Sequence, residues 1–275
     1  MDYYNRLDVR RAVLNFSRAS NREAVREGAF YNPRAKSVQR HFAPNELVIL
    51  DSSAALDRAL HAGGSAFYGS YWRYIQPQDL AHPLGRDLVW TVRATAGGLR
   101  FAKLVTTAVI EALADNRFDE PWVKYSGELG FDLVLPLEEI PGDAWRGDIR
   151  ALDDYQRALT RDMADCLAER FNFRVERAES NLTIREGLGT CLLSELRVER
   201  GLLLAPMSLN PKSGLVSLPL APGKVKNFSV LDASPADAKT YEWQAPNAIN
   251  VSFKLVKIKP QIVPAFAEVG LSQAT

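Results

Sequence analysis

The sequence predicts a mixed α/β (α+β) fold whose core is a split β-α-β sheet, with an N-terminal α/β module packed against it. The prediction rests on a strand-like run at residues 88–92, an amphipathic helix at 101–113, and apolar runs at 122–125 and 131–135 that a tight turn joins. The order strand, helix, strand, turn, strand is half of a split β-α-β sheet. The composition, 47% hydrophobic and 24% charged, is that of an ordinary globular protein.

The N-terminal module is predicted to contain two helices. Apolar residues recur at helical spacing over residues 8–18 and again over 52–61. Loop residues are expected through Pro33, and a short β-like run follows at 46–50. The aromatic-rich stretch at 65–74 could stack on bases of a single strand, but core packing is favoured.

The C-terminal half is predicted to open with a second long helix, at residues 152–171, because one side of that stretch is apolar. Short strands are expected near Arg174, Thr183 and Leu202. The alternating run at 249–258 predicts a late strand.

A chain of 275 residues can bury a substantial core. The predicted division is residues 1–85 for the N-terminal module, 86–245 for the core and 246–275 for a C-terminal strand and tail, all in one intimate unit. No apolar run is long enough to span a bilayer, no signal-peptide pattern is present, and two cysteines alone cannot form a zinc site. A cytoplasmic protein that does not enter membranes is therefore expected.

The net charge of +1 gives no general support for binding nucleic acid, which usually requires a basic excess or a segregated basic face. One stretch, residues 10–40, is rich enough in basic residues to provide such a face. Its candidate contacts to a phosphate backbone are Arg10, Arg11, Arg22, Arg34, Lys36 and Arg40. A solvated helical surface explains the same residues equally well.

The most informative motif is the turn Ser126-Gly127-x-x-Gly130, which follows one predicted strand and leads through Asp132 into the next. Glycines allow positive φ and the close backbone approach that a phosphate needs. They equally suit any tight connection between strands, and Ser126 is a common turn residue.

This turn resembles that of the archaeo-eukaryotic primase superfamily, in which Ser-Gly-x-x-Gly-x-His places a histidine against a nucleoside triphosphate. Asp132 occupies the histidine position here. In active members the strand before the amphipathic helix, which corresponds to residues 88–94 here, has two aspartates, one residue apart, that hold divalent cations. The positions that align with them are Thr91 and Arg93, and neither side chain can replace a carboxylate as a magnesium ligand.

A second segment, residues 202–215, is similar to the run Pro-x-Ser-hydrophobic-His-x-Lys-Thr-Gly, which binds incoming nucleotide in the same superfamily. Four positions match as they stand, namely Pro206, Ser208, Lys212 and Gly214. Asn210 replaces the histidine. The third metal-binding aspartate of the superfamily aligns best with Leu192 or Ser194.

The resemblance covers most of residues 1–240 and implies a primase-polymerase-like core. It implies a catalytically degenerate protein that binds nucleic acid or has an accessory or structural role in DNA replication or repair. No catalytic residue, metal or cofactor is expected. The degenerate positions are Thr91, Arg93, Asp132, Leu192 and Asn210, and the candidate nucleotide or phosphate contacts are Ser126, Gly127, Gly130, Ser208 and Lys212. The implied partners are DNA or RNA and an active primase or another replication or repair protein.

Two alternatives remain open. An active nucleotidyltransferase would need Mg²⁺ or Mn²⁺ held by displaced carboxylates, for which the candidates are Asp87, Asp132 and Glu195. A nucleotide sensor would keep Ser126, Ser208 and Lys212 for phosphate binding without catalysis, although a lysine in a turn-rich loop is as often merely solvated.

An ion pair between two of these degenerate positions is also predicted. Arg93 and Asp132 belong to strands that should be neighbours in a split β-α-β sheet. A single buried charge would be strongly destabilising, whereas a pair is tolerated. We therefore expect Arg93 and Asp132 to form an ion pair.

Overall fold

A computed structural model describes residues 2–18, 24–76, 79–142, 145 and 148–243. The helices within these ranges are α1 (Leu7–Arg18), α2 (Ser53–His61), α3 (Gly98–Asp115) and α4 (Ala151–Glu169). The first seven strands are β1 (Gly28–Asn32), β2 (Ser37–Gln39), β3 (His41–Ala43), β4 (Glu46–Leu47), β5 (Ala66–Ser70), β6 (Trp72–Tyr74) and β7 (Pro83–Arg86). The others are β8 (Leu88–Ala96), β9 (Trp122–Tyr125), β10 (Gly130–Leu135), β11 (Arg174–Arg177), β12 (Asn181–Glu186), β13 (Gly189–Leu196), β14 (Leu202–Leu204) and β15 (Pro219–Leu220). No described helix is both long and apolar enough to cross a membrane.

The core is a seven-stranded antiparallel sheet with the order β11-β12-β13-β8-β10-β9-β15. Strand β10 lies between β8 and β9, which α3 connects along the chain. Because β10 is antiparallel to both neighbours, β8 and β9 run parallel to each other. This is the split β-α-β arrangement, so the predicted fold class is confirmed.

Helices α3 and α4 cover one face of this sheet. The indole Nε1 of Trp90 donates to Thr160 Oγ1 at 2.8 Å, and Gln156 Nε2 donates to the carbonyl of Val89 at 2.8 Å. Successive strand residues point to opposite faces. Thr91 and Arg93 of β8 therefore belong to the face without these helices.

The N-terminal module has a four-stranded sheet with the order β14-β5-β1-β2. The N-cap of α2 is Ser52, whose hydroxyl accepts from the Ala55 amide at 3.2 Å. Strand β14 comes from the second half of the chain and pairs with β5. One buried hydrophobic core extends through both sheets, and the division into residues 1–85, 86–245 and 246–275 stays a prediction.

The differences from the predicted elements concern strands. Residues 28–32 form β1 rather than a loop, since they pair with β2 and β5 and bury three of five side chains. Strand β13 was not predicted. Its buried residues include Glu195, so the strand does not alternate between hydrophobic and polar residues in the sequence. The predicted strand at 249–258 lies outside the described residues, as does Arg22.

Candidate functional site

Asp132 lies at the centre of a buried group of charges. Its two carboxylate oxygens accept hydrogen bonds from Arg93 Nη2 and Lys124 Nζ, one each. Lys124 Nζ also donates to Ser217 Oγ at 3.0 Å. The Asp132 side chain is 3% exposed and that of Lys124 is fully buried, whereas that of Arg93 is one-third exposed. We call Arg93, Lys124, Asp132 and Ser217 the charge cluster.

Strand register places this cluster. Asp132 of β10 pairs with Thr91 of β8 on one side and with Lys124 of β9 on the other, so the three residues share the face without helices. The predicted ion pair between Arg93 and Asp132 is confirmed. Sequence reasoning missed Lys124, although a lysine within the otherwise apolar run 122–125 was a signal that an anion could lie near it, and the structure buries that strand throughout.

The electrostatics of the cluster keep Asp132 ionised. Burial by itself raises the pKa of a carboxyl group, but the positive charges of Arg93 and Lys124 outweigh it, and the pKa of Asp132 is lowered. Burial also lowers the pKa of Lys124, against the opposing effect of Asp132. The carboxylate therefore has two cationic partners from the protein itself.

The residues at this face do not fit the divalent cations of active primases. The sequence resemblance aligns Thr91, Arg93 and either Leu192 or Ser194 with the three metal-binding aspartates, and Ser194 lies opposite Thr91 in the register. Arg93 would repel a metal ion, and Asp132 already has two cationic neighbours. Among the described residues, no group of three or more His, Cys, Asp or Glu side chains could hold a metal.

The other carboxylates of the active-enzyme alternative lie elsewhere. Asp87 is fully buried, 2.6 Å from Arg26 Nη2 and 2.5 Å from Arg73 Nη2. Glu195 pairs with Trp90 in the register, which places it on the helix-covered face, and it contacts Arg197 Nε at 3.0 Å. Asp87, Asp132 and Glu195 therefore do not converge on one site.

The two nucleotide-binding motifs of the resemblance pack against each other. Asn210 Nδ2 donates to the Ser126 carbonyl at 3.2 Å, and Ser213 Oγ donates to the Gly127 carbonyl. Gly127 has φ +81°, and a Cβ there would lie 2.6 Å from the Cβ of Asn210. Glycine is thus required at this position by a contact within the protein. Gly130, at the end of the same turn, packs directly on the backbone of β8.

The predicted phosphate contacts have partners within the protein. Ser208 is fully buried, and its hydroxyl accepts from the Phe67 amide at 2.7 Å. Ser126 Oγ accepts from the Glu128 amide at 3.3 Å. Lys212 is 78% exposed and lies 3.4 Å from the Glu128 carboxylate. Ser208 is therefore closed to a ligand in this conformation, while Lys212 remains accessible.

The predicted basic face at residues 10–40 is divided among several elements. Three of its members have carboxylate neighbours, namely Arg10 with Asp57 at 2.8 Å, Arg11 with Glu242 at 3.8 Å and Arg40 with the buried Glu27 at 3.0 Å. Arg34 and Lys36 lie exposed between β1 and β2, and their side chains have no ion pair among the described residues. Their role in binding nucleic acid stays a prediction.

The fold is similar to that of solved structures. One of them is the polymerase domain of Mycobacterium tuberculosis Ligase D in complex with DNA, which matches with a TM-score of 0.54 over 82% of this chain and 81% of that chain. The protein has a primase-polymerase-like fold. At 15% identity the similarity shows the fold and no more. No protein-family model matches the chain, and no curated protein matches its sequence.

Proposed function

We propose that the protein is a catalytically degenerate relative of the archaeo-eukaryotic primases that binds nucleic acid and has an accessory or structural role in DNA replication or repair. The observation that carries the proposal is the charge cluster. Asp132 is the one acidic residue among the degenerate positions, and Arg93 and Lys124 already neutralise it.

The chemistry of polymerisation supports the same conclusion. Phosphoryl transfer by polymerases uses divalent cations to neutralise phosphate charge and to activate the attacking oxygen. The positions that the resemblance aligns with the metal-binding aspartates hold Thr91, Arg93 and either Leu192 or Ser194, none of which has a carboxylate. The described part of the chain retains a sheet and two docked turns but no group of three or more His, Cys, Asp or Glu side chains that could hold the metals.

Binding of nucleic acid is supported by the structural relative, which was solved in complex with DNA. The proposed partners are DNA or RNA and, as a second partner, an active primase or another replication or repair protein. The nucleotide-sensor alternative has less support, because Ser208 is buried and hydrogen-bonded within the protein.

The proposal predicts binding of nucleic acid that does not depend on metal. Fluorescence anisotropy with labelled single-stranded DNA and RNA should give the same Kd in EDTA as in Mg²⁺ or Mn²⁺. The Kd should rise steeply with salt concentration, because phosphate contacts release counterions. A nucleoside triphosphate alone should not compete at micromolar concentration. Binding that requires Mg²⁺ or Mn²⁺ would contradict the proposal, as would no binding to any nucleic acid.

A further inference from the structure

We infer that the nucleic acid contacts a basic patch on the helix-covered side of the core sheet, away from the charge cluster. The patch consists of Arg100 and Lys103 of α3 and Lys224 and Lys226 of the segment 222–228. We call these four residues the α3 patch. The inference rests on the proposed function, because it assigns the surface at which that binding occurs.

These residues lie on two elements that pack against each other. Arg100 and Lys103 are three residues apart on α3 and therefore lie on the same side of the helix. The segment 222–227 packs against α3, and Lys103 Nζ donates to the Phe228 carbonyl at 3.0 Å. Lys224 and Lys226 are exposed on that segment, and Arg100 is exposed at the beginning of α3. Lys103 thus lies at the junction, and Arg100, Lys224 and Lys226 are exposed on the two elements that form it.

The patch lacks the neutralising partners that many other cations of the protein have. Among the described residues, none of its four side chains forms an ion pair, whereas Arg10, Arg40, Arg170 and most arginines of the core sheet each have a carboxylate within 4 Å. The adjoining turn contains one acid, Asp232, whose carboxylate accepts from the Ser229 amide at 2.8 Å. Net positive charge is therefore concentrated here although the chain as a whole is nearly neutral.

The position of Arg100 is unfavourable for helix stability alone. The N-terminus of a helix has a partial positive charge and is stabilised by acidic side chains. The first turn of α3 has no acidic residue, Gly97 provides no side-chain cap, and Arg100 is the third residue of the helix. A cation at that place adds to the positive potential of the helix end. Such a potential attracts a polyanion, and the phosphate backbone of nucleic acid is the partner with matching charge.

The α3 patch and the charge cluster are on opposite sides of the sheet. Helix α3 packs against β8, β10 and β13 on the face that contains Trp90, whereas Asp132 and Lys124 share the other face. Substitutions of exposed patch residues should therefore leave the cluster undisturbed. Binding at the patch also requires neither the turn at Ser126 nor Lys212, and so it needs no catalytic geometry.

A pair of matched triple variants tests this surface. Arg100→Ala/Lys224→Ala/Lys226→Ala removes three charges from the patch, and Arg11→Ala/Arg34→Ala/Lys36→Ala removes three from the N-terminal module. We expect the patch variant to bind single-stranded nucleic acid 10- to 100-fold more weakly at 0.1 M salt, with the slope of log K against log salt smaller by about 2, since each lost phosphate contact contributes about 0.7 on a single strand. The N-terminal variant tests the competing basic face that the sequence predicts, and if the α3 patch is the binding surface its affinity should stay within about threefold of the unmodified protein.

A charge-conserving variant controls for packing. Arg100→Lys/Lys224→Arg/Lys226→Arg should keep the affinity of the unmodified protein if charge is what the ligand recognises, and all variants should have unchanged circular dichroism. Equal loss in the two alanine triples, or a loss only in the N-terminal one, would overturn the patch while leaving the proposed function intact. No binding by the unmodified protein to DNA or RNA would overturn both, even if the patch binds an acidic protein.

Discussion

Replacing Asp132 with alanine is expected to lower the free energy of unfolding by about 3–5 kcal/mol, the effect of leaving one partner of a buried ion pair uncompensated. The reason is Lys124, which is fully buried and has no carboxylate other than Asp132 within hydrogen-bonding distance among the described residues. Arg93 is one-third exposed and can turn towards water, so it contributes less to the loss. Urea denaturation followed by circular dichroism measures the change.

Two controls show whether the buried charge is the cause. Asp154→Ala removes an exposed partner of Arg157 and should change stability by no more than about 0.5 kcal/mol. Lys124→Met/Asp132→Leu removes both buried charges and should cost much less than Asp132→Ala, because a well-packed apolar pair replaces a buried ion pair with little loss. If Asp132→Ala were as stable as the unmodified protein, the charge cluster would not neutralise Asp132 as described.

Asp132→Ala should also change the dependence of the free energy of unfolding on pH. The folded pKa of Asp132 is lowered below its ordinary value of about 3.9, so the folded state binds its proton less readily than the unfolded state does. The stability that Asp132 contributes is therefore present above the ordinary pKa and is lost as pH falls through the folded pKa. Asp132→Ala should be less sensitive to acid over that range than the unmodified protein.

Replacing Asp87 with alanine is expected to have a comparable effect, about 3–5 kcal/mol, at a different place in the molecule. Asp87 is fully buried between Arg26 and Arg73, both of which are also buried, and it accepts from the Leu137 amide at 3.0 Å. Arg73 keeps its contact with Glu138, but Arg26 has no other carboxylate partner among the described residues. Thermal unfolding should show the loss as a lower Tm.

Asp165→Ala is the matched control for Asp87→Ala, since it removes the exposed partner of Arg177 and should leave the Tm nearly unchanged. Asp87→Asn keeps the size of the side chain and its hydrogen bond to the Leu137 amide. Its Tm should therefore lie between those of Asp87→Ala and the unmodified protein. A Tm for Asp87→Ala equal to that of the control would mean that water or movement of Arg26 and Arg73 relieves the buried charge.

The core fold could be predicted from sequence because its signals are local. The apolar stripe of α3 and the turn Ser126–Gly130 fix the split β-α-β order without reference to distant residues. The same order makes β8 and β10 neighbours, which is why the pair Arg93 and Asp132 could be predicted. Strand β1 could not, because its pairing with β5 joins residues far apart in the chain, and propensity alone does not reveal such pairing.

The site was predicted less completely, because charge partners also come from distant positions. Glu27 neutralises Arg40 and Arg200, the latter 173 residues away, and Asp87 neutralises Arg26. Ion pairs in the folded protein thus neutralise several residues of a basic run that is continuous in the sequence. The α3 patch shows the converse, since the two elements that carry its cations come together only when the segment 222–228 folds onto α3.

A primer-extension assay tests the central claim, the loss of catalysis, most directly. The purified protein is incubated with a primed single-stranded template, all four labelled nucleotides and Mn²⁺, beside an Asp132→Asn variant that keeps the size of the side chain. Folding of both proteins is confirmed by circular dichroism. No template-dependent product is expected from either protein at any metal concentration. Product from the unmodified protein that disappears in Asp132→Asn would contradict the claim and would make Asp132 a metal ligand.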